Sequence, residues 1–223
     1  MKKLMDIDII DIIPFSKGLI FARKESLQND SVKVSFFSYD LNTERAAPVT
    51  KGVYLLNKFG SAYKPIVEQI GDYISCDVAA LPGSQTSVVY PTGEMGLFDP
   101  EGVLYWTGDL MYHDFPVRGV AADNKHIWCV VPDNNSVIRY SLASEKVVLR
   151  IGGDRSTAFA SPVSLNIFDG ELYICNQGTC RIRTINLKDY SVKDYKVFEE
   201  PVHRYIRSCG KEIVVLNSGV YQL

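Results

Sequence analysis

The chain has 223 residues, with 24 Lys plus Arg against 26 Asp plus Glu and a formal net charge of −2. It carries no global basic field, which argues against non-specific nucleic-acid binding as its main role. Apolar residues make up 46% of it, with 13 Tyr and 10 Phe, ample material for a core. No stretch approaches the roughly 20 uninterrupted apolar residues of a membrane helix, so no membrane partner is expected.

The opening MKKLMDIDIIDIIPF starts as a signal peptide would, but Asp6, Asp8 and Asp11 interrupt its apolar run and it reads as mature structure. A first strand-rich unit begins near Ile9 and turns at Ser16-Lys17-Gly18. It continues through a longer loop over residues 25–31, a strand over residues 32–40 and the turn Leu41-Asn42-Thr43-Glu44. A second, looser unit reads KPIVEQIGDYISCDVAAL from Lys64, which puts Glu68 on its opening strand. Leu81-Pro82-Gly83-Ser84 and Asp99-Pro100-Glu101-Gly102 are its turns.

The third unit is the cleanest, with strands expected over residues 117–123, 126–132, 136–142 and 146–151 and turns at Asp123-Asn124 and Asp133-Asn134-Asn135. The fourth repeats the plan over residues 163–168, 171–176, 181–187 and 191–198. Its Asp169-Gly170 is a strong hairpin signal. From Val202 the chain has room for only three more strands, and residues 2–8 can supply the missing fourth.

Prolines 65, 116, 162 and 201 each lead into an apolar strand, and this self-similarity predicts an array of small antiparallel sheets. At about 40–45 residues per four-stranded blade, the expected fold is an all-β, five-bladed β-propeller. Its last blade is closed by the N-terminal strand, which removes two exposed sheet edges. No linker divides the chain, so residues 1–223 read as a single propeller domain.

Blades three and four resemble NHL repeats, whose pattern is Pro-x-Gly-Val-Ala-x-Asp, an aromatic-containing strand, an Asn-bearing turn, then Arg-Ile. Pro116, Gly119, Val120, Ala121, Asp123, Asn135, Ile138 and Arg139 fit much of it, and Pro162, Asp169, Gly170, Tyr173, Asn176, Arg181 and Ile182 fit more loosely. Val130-Val131 stand where the family usually has Ala-Asp, and blades one and two diverge. The resemblance implies a platform for proteins or RNA. Six blades are usual in that family, and related propellers include lyases and glycan-cleaving enzymes.

The five cysteines are odd in number and irregularly spaced, which argues against a disulfide framework or a zinc site and favours a reducing, cytoplasmic setting. Cys76, Cys129 and Cys175 are expected in the second strands of their blades, buried. Cys175 and Cys180 could approach one another across a hairpin.

First strands line a propeller's channel, so residues at or just before them are the candidate site: Asp11, Glu68, His113, Asp114, Arg118, Glu199, His203, Arg204 and Arg207. The histidines and arginines could hold a carboxylate or phosphate. Arg204 and Arg207, three apart, cannot both face the channel in a regular strand. Tyr112 and Phe115 flank His113-Asp114, giving an aromatic–acid–His cluster at a channel mouth as the preferred site. The expected function is a non-enzymatic binding or scaffold module that holds a protein segment or small ligand, with no cofactor and no metal. The alternative is a glycoside hydrolase or lyase with Glu68, Asp114 or His203 in acid/base roles.

Overall fold

A computed structural model of the protein describes residues 1–6, 9–26, 32–69 and 73–223. Five four-stranded antiparallel sheets form the blades of a five-bladed β-propeller. Blade one comprises Ile9–Phe15, Gly18–Ser26, Val32–Asp40 and Arg45–Val49, and blade two Asp77–Ala80, Thr86–Val89, Glu94–Phe98 and Leu104–Asp109. Blade three comprises Arg118–Ala122, His126–Val131, Ser136–Ser141 and Lys146–Gly152, and blade four Pro162–Phe168, Glu171–Asn176, Arg181–Asn186 and Val192–Val197. In blade five, Val202–Ser208, Lys211–Leu216 and Gly219–Gln222 are completed on the outside by Lys2–Met5, which pairs antiparallel with Gly219–Gln222. The expected closure is therefore present, and Leu4 and Met5 pack into the core between blades five and one. The loop expected over residues 25–31 begins instead with strand residues 25 and 26, and residues 27–31 lie outside the described ones, as do residues 7–8 of the closing segment.

Blades pack face to face through apolar side chains. Trp128, Val130, Leu165 and Ile174 fill the space between blades three and four, and Tyr173, Val202, Tyr205 and Val214 that between four and five. The turns tie one blade to the next. Asn135, in the left-handed region at φ 50, accepts the Ser161 amide at 2.8 Å, and Asn176 accepts the Ala160 amide at 2.7 Å. Asn tolerates that backbone region because its short side chain bonds locally.

Between blades one and two the pattern breaks. Two helices, α1 (Lys51–Phe59) and α2 (Tyr63–Gln69), occupy the seam. Thr50 caps α1 by accepting the Val53 amide at 3.3 Å, and Gly60, at φ 55, ends it with its own N–H on Leu56 O. Nine residues are too few for a helix to stand alone in water, so packing must hold it. Tyr54, Leu55, Phe59, Ala62 and Ile66 form that packed face, set between Ile20, Ala22 and Phe36 of blade one and Val88 and Phe98 of blade two.

This corrects the sequence reading of blade two. Pro65 lies in α2, not before a strand, and the opening strand is Asp77–Ala80. Cys76 is buried just ahead of that strand, not in a second strand, whereas Cys129 and Cys175 sit buried in second strands as expected. All five cysteines are free thiols, Cys175 and Cys180 included. Burial pushes the Cys175 thiol up to about 12, so it stays protonated and inert.

Candidate functional site

The five opening strands surround the channel, and four of them are bulged at the same place. The register slips between Ile9 and Asp11, Arg118 and Val120, Pro162 and Ser164, and Val202 and Arg204. A bulge sets two residues against one on the neighbouring strand and re-aims a side chain. Its effect is plain in blade five, where His203 and Arg204, consecutive in sequence, both line one cavity of about 460 Å³. In a regular strand they would face opposite sides. Ile10 and Asp11 do the same from blade one.

Around the bulges the blades are joined in a belt. Asp77 Oδ2 of blade two accepts the Gly119 amide of blade three at 2.9 Å. Gly119 lies at φ +46, and a Cβ there would meet Ser164 Cα of blade four at 2.7 Å, so only glycine fits. Ser164 Oγ donates to His203 O of blade five at 2.8 Å. Arg204 then reaches blade one, with Nη1 2.8 Å from Asp11 Oδ1 and 3.4 Å from Ile12 O.

Asp11 is the centre of a buried charge network. Lys58 Nζ of α1 lies 2.8 Å from its Oδ2 and also donates to Ile74 O at 2.6 Å, while the Tyr54 hydroxyl donates to Oδ2 as well. Burial pushes the Asp11 carboxyl up, but Arg204 and Lys58 outweigh it and hold it below the usual carboxylate range. Burial and the adjacent Asp11 charge push the Tyr54 phenol up, so it remains a donor.

The channel mouth at which the opening strands begin holds a cavity of about 510 Å³. Asp77, Arg118 and Arg204 give it charge, and Ile10, Val34, Ile74 and Val163 give it an apolar wall. Arg118 is half-buried there, and among the described residues it has no hydrogen-bond or ion-pair partner. Asp77 likewise makes no ion pair among the described residues. Deeper in the channel is a further cavity of about 260 Å³, lined by Lys58, Ser164, Asn166 and Arg204 among others.

The structure brings Arg118, His203 and Arg204 to this mouth and its adjoining cavity. His203 sits between Gln177 Nε2 at 3.2 Å from its Nδ1 and Asn217 Oδ1 at 2.5 Å from its Nε2, contacts that suit a neutral ring with its proton on Nε2. Arg207 turns away, as expected from its spacing. It stacks against Phe168, Tyr173 and Tyr205 and pairs with Asp169 at 2.8 Å.

Tyr112, His113, Asp114 and Phe115 form a small hairpin of their own, Met111–Tyr112 against Phe115–Pro116, and line none of these cavities. His113 and Asp114 make its turn at φ 47 and 65, and the Arg150 guanidinium lies 5.6 Å from the Tyr112 ring. Glu68 is in α2 and not on an opening strand, and its side chain lies outside the described residues.

Asp77 and Lys58 were missed by the sequence reading because the blade-two strand was placed too early. The signal for α1 was nevertheless present. Tyr54, Leu55 and Phe59 recur at helical spacing behind the cap-forming Thr50. The three histidines fall on a hairpin, a second strand and an opening strand. Among the described residues, no group of three His, Cys, Asp or Glu side chains comes together as a metal site would require. No described helix is long and apolar enough to cross a membrane.

No family model matches the chain, and no curated protein is similar to it in sequence. Solved structures do match in fold. One is virginiamycin B lyase from Staphylococcus aureus, at a TM-score of 0.57 and 10% identity, covering 95% of this chain and 78% of that one. A streptogramin B lyase is similar at a TM-score of 0.51 and 12% identity, covering 96% and 65%. The WD40 repeats of RRP9 are similar at 0.53 and 10%, covering 93% and 57%. This chain thus spans less than two thirds of the latter two. At such identities the likeness establishes the propeller fold and nothing finer.

Proposed function

We propose that this protein is a non-enzymatic binding module whose channel mouth holds an anionic group of a small ligand or of a protein segment. The observation that carries the reading is Arg118, a half-buried guanidinium without a partner among the described residues, set in the same wall as Arg204. A guanidinium offers five donors in a planar fork that suits carboxylate and phosphate oxygens. Arg204 Nη1 is committed to Asp11 and Ile12 O, and its remaining donors are not engaged by described residues. His203 and Asn217 extend the polar rim into the adjoining cavity.

The carboxylates of the channel support binding over acid/base chemistry. Asp11 is held ionised by Lys58 and Arg204, and Asp77 by position accepts a backbone amide. The NHL-like pattern of blades three and four points to the same class of role. The Tyr112–Phe115 hairpin, three residues ahead of Arg118 at its nearest, supplies an outer contact for a larger partner, with Phe115 exposed. The test is a thermal-shift panel of small carboxylates and inorganic phosphate against the wild-type chain and Arg118→Gln. The reading predicts stabilisation of the wild type that the variant loses. Equal shifts in both proteins, or none in either, would remove it.

A further inference from the structure

We propose that the mouth selects an aliphatic monocarboxylate, and that Asp77 sets this selectivity by rejecting a second negative charge. This rests on the anion-binding reading above. Among the described residues, five charged side chains line the mouth or the two cavities that adjoin it: Lys58, Arg118 and Arg204 as cations, Asp11 and Asp77 as anions. Three positive against two negative leaves one positive charge among these described groups, and Arg118 is the cation among them without a described counter-ion. One carboxylate balances the site, whereas a dianion overshoots it in the presence of Asp77.

The position of Asp77 makes it a fixed obstacle. Its Oδ2 is held by the Gly119 amide at 2.9 Å, so the side chain cannot swing away to admit phosphate or a second carboxylate. Like charges brought together in a partly desolvated site cost free energy, and specificity often rests on such a repulsive element. The rest of the wall is Ser75 and the apolar side chains of Ile10, Val34, Ile74 and Val163, and those four suit a branched hydrocarbon body. Two sources share this chemistry, a free aliphatic acid and the C-terminal carboxylate of a peptide ending in an apolar residue.

The experiment is an NMR titration of the full chain with 4-methylpentanoate, N-acetyl-leucine, succinate and inorganic phosphate. It is run on the wild type, Asp77→Asn and Arg118→Gln. Asn keeps an oxygen acceptor for the Gly119 amide, and an unchanged melting temperature confirms that it does. The wild type is expected to bind one or both monocarboxylates at least tenfold more tightly than succinate or phosphate, with Asp77→Asn closing that gap and Arg118→Gln losing all binding. Tighter binding of N-acetyl-leucine assigns the site to peptide chain ends, and tighter binding of 4-methylpentanoate assigns it to free acids.

Succinate or phosphate binding the wild type as tightly as the monocarboxylates would overturn the selectivity while leaving the anion site standing. No change of selectivity in a folded Asp77→Asn would overturn the role of Asp77. Failure of all four probes to bind the wild type would overturn both this inference and the reading beneath it.

Discussion

The boundary between blades three and four and the seam between blades one and two solve the same packing problem with different means. Between three and four, two sheets meet directly through Trp128, Val130, Leu165, Leu172 and Ile174. The polar groups stay at the margin: Asp123 accepts the Trp128 indole N–H at 2.9 Å, and Arg139 lies 5.5 Å over the same indole. Between one and two, helices α1 and α2 replace direct contact, and the Asp11–Lys58–Arg204 network is buried with them. Repeated sheets bring matching faces to each other, so apolar burial is the main force that sets their spacing, with polar ties such as Asn135–Ser161 at the margin. A helix against a sheet has no such register, and Lys58 supplies one by bonding at once to Asp11 of blade one and to Ile74 O ahead of blade two.

If that contrast is right, the seam is the more fragile to polar change. Asp11→Ala leaves the nearly inaccessible Lys58 without its counter-ion, and should cost about 3–5 kcal/mol. That corresponds to a fall in melting temperature on the order of 10 °C for a chain of this size. Val137→Ala in the other boundary removes only buried methyl groups, and should cost about 2 kcal/mol. Equal losses in chemical denaturation would erase the distinction.

Ring closure stands next in size. Removing residues 1–6 takes Leu4 and Met5 from the core and uncovers the Gly219–Gln222 edge. The expected loss is about 3 kcal/mol, and an unchanged melting temperature would refute the closing strand's importance.

The seam also carries a pH signature. The folded-state pKa of Asp11 is depressed, so its stabilisation is full above the unfolded value of about 3.9 and is lost as pH falls through the folded value. Melting curves of the wild type and Asp11→Asn should therefore differ at neutral pH and converge in acid. Arg139→Met sharpens the other side of the comparison. It removes the stack on Trp128 and Tyr190, for a loss of about 1 kcal/mol that should be insensitive to acid. The smallest effect has the opposite sign: His113→Gly relieves a φ of 47 in the outlying hairpin, and should stabilise by about 0.5–1 kcal/mol.

The same contrast governs what the sequence made legible. Blade three was read to within a residue or so at nearly every strand, because alternation and Asn- and Asp-rich turns agree there. The closing strand followed from counting strands in blade five. At the seam the reading failed for a physical reason. Pro65 imitates the prolines that open other blades, but it belongs to α2, and tertiary packing of Tyr54 and Phe59 decides the helices. Asp77 and Lys58 were lost with that error.

Of the proposed site, Arg118, His203 and Arg204 were legible as residues near opening strands. Their meeting around an oxyanion was expected, but not its means: period-two alternation separates His203 from Arg204, and the bulge reunites them. The hairpin of Tyr112–Phe115 was read as the mouth because it precedes Arg118 in sequence, yet its own two strands hold it apart from the cavities.

Pairing Lys2–Met5 with Gly219–Gln222 also orders events in time. During synthesis at roughly 5–20 residues per second, the earliest strand waits on the order of 10–40 s for its partner to be made. Blades three and four can form from neighbouring hairpins meanwhile, but no part of blade five can be finished early on its outer side. The waiting segment begins with Lys2 and Lys3, both exposed in the finished blade, and such charges discourage stray strand pairing. The ring thus becomes a cooperative whole only when these two segments, distant along the chain, have paired.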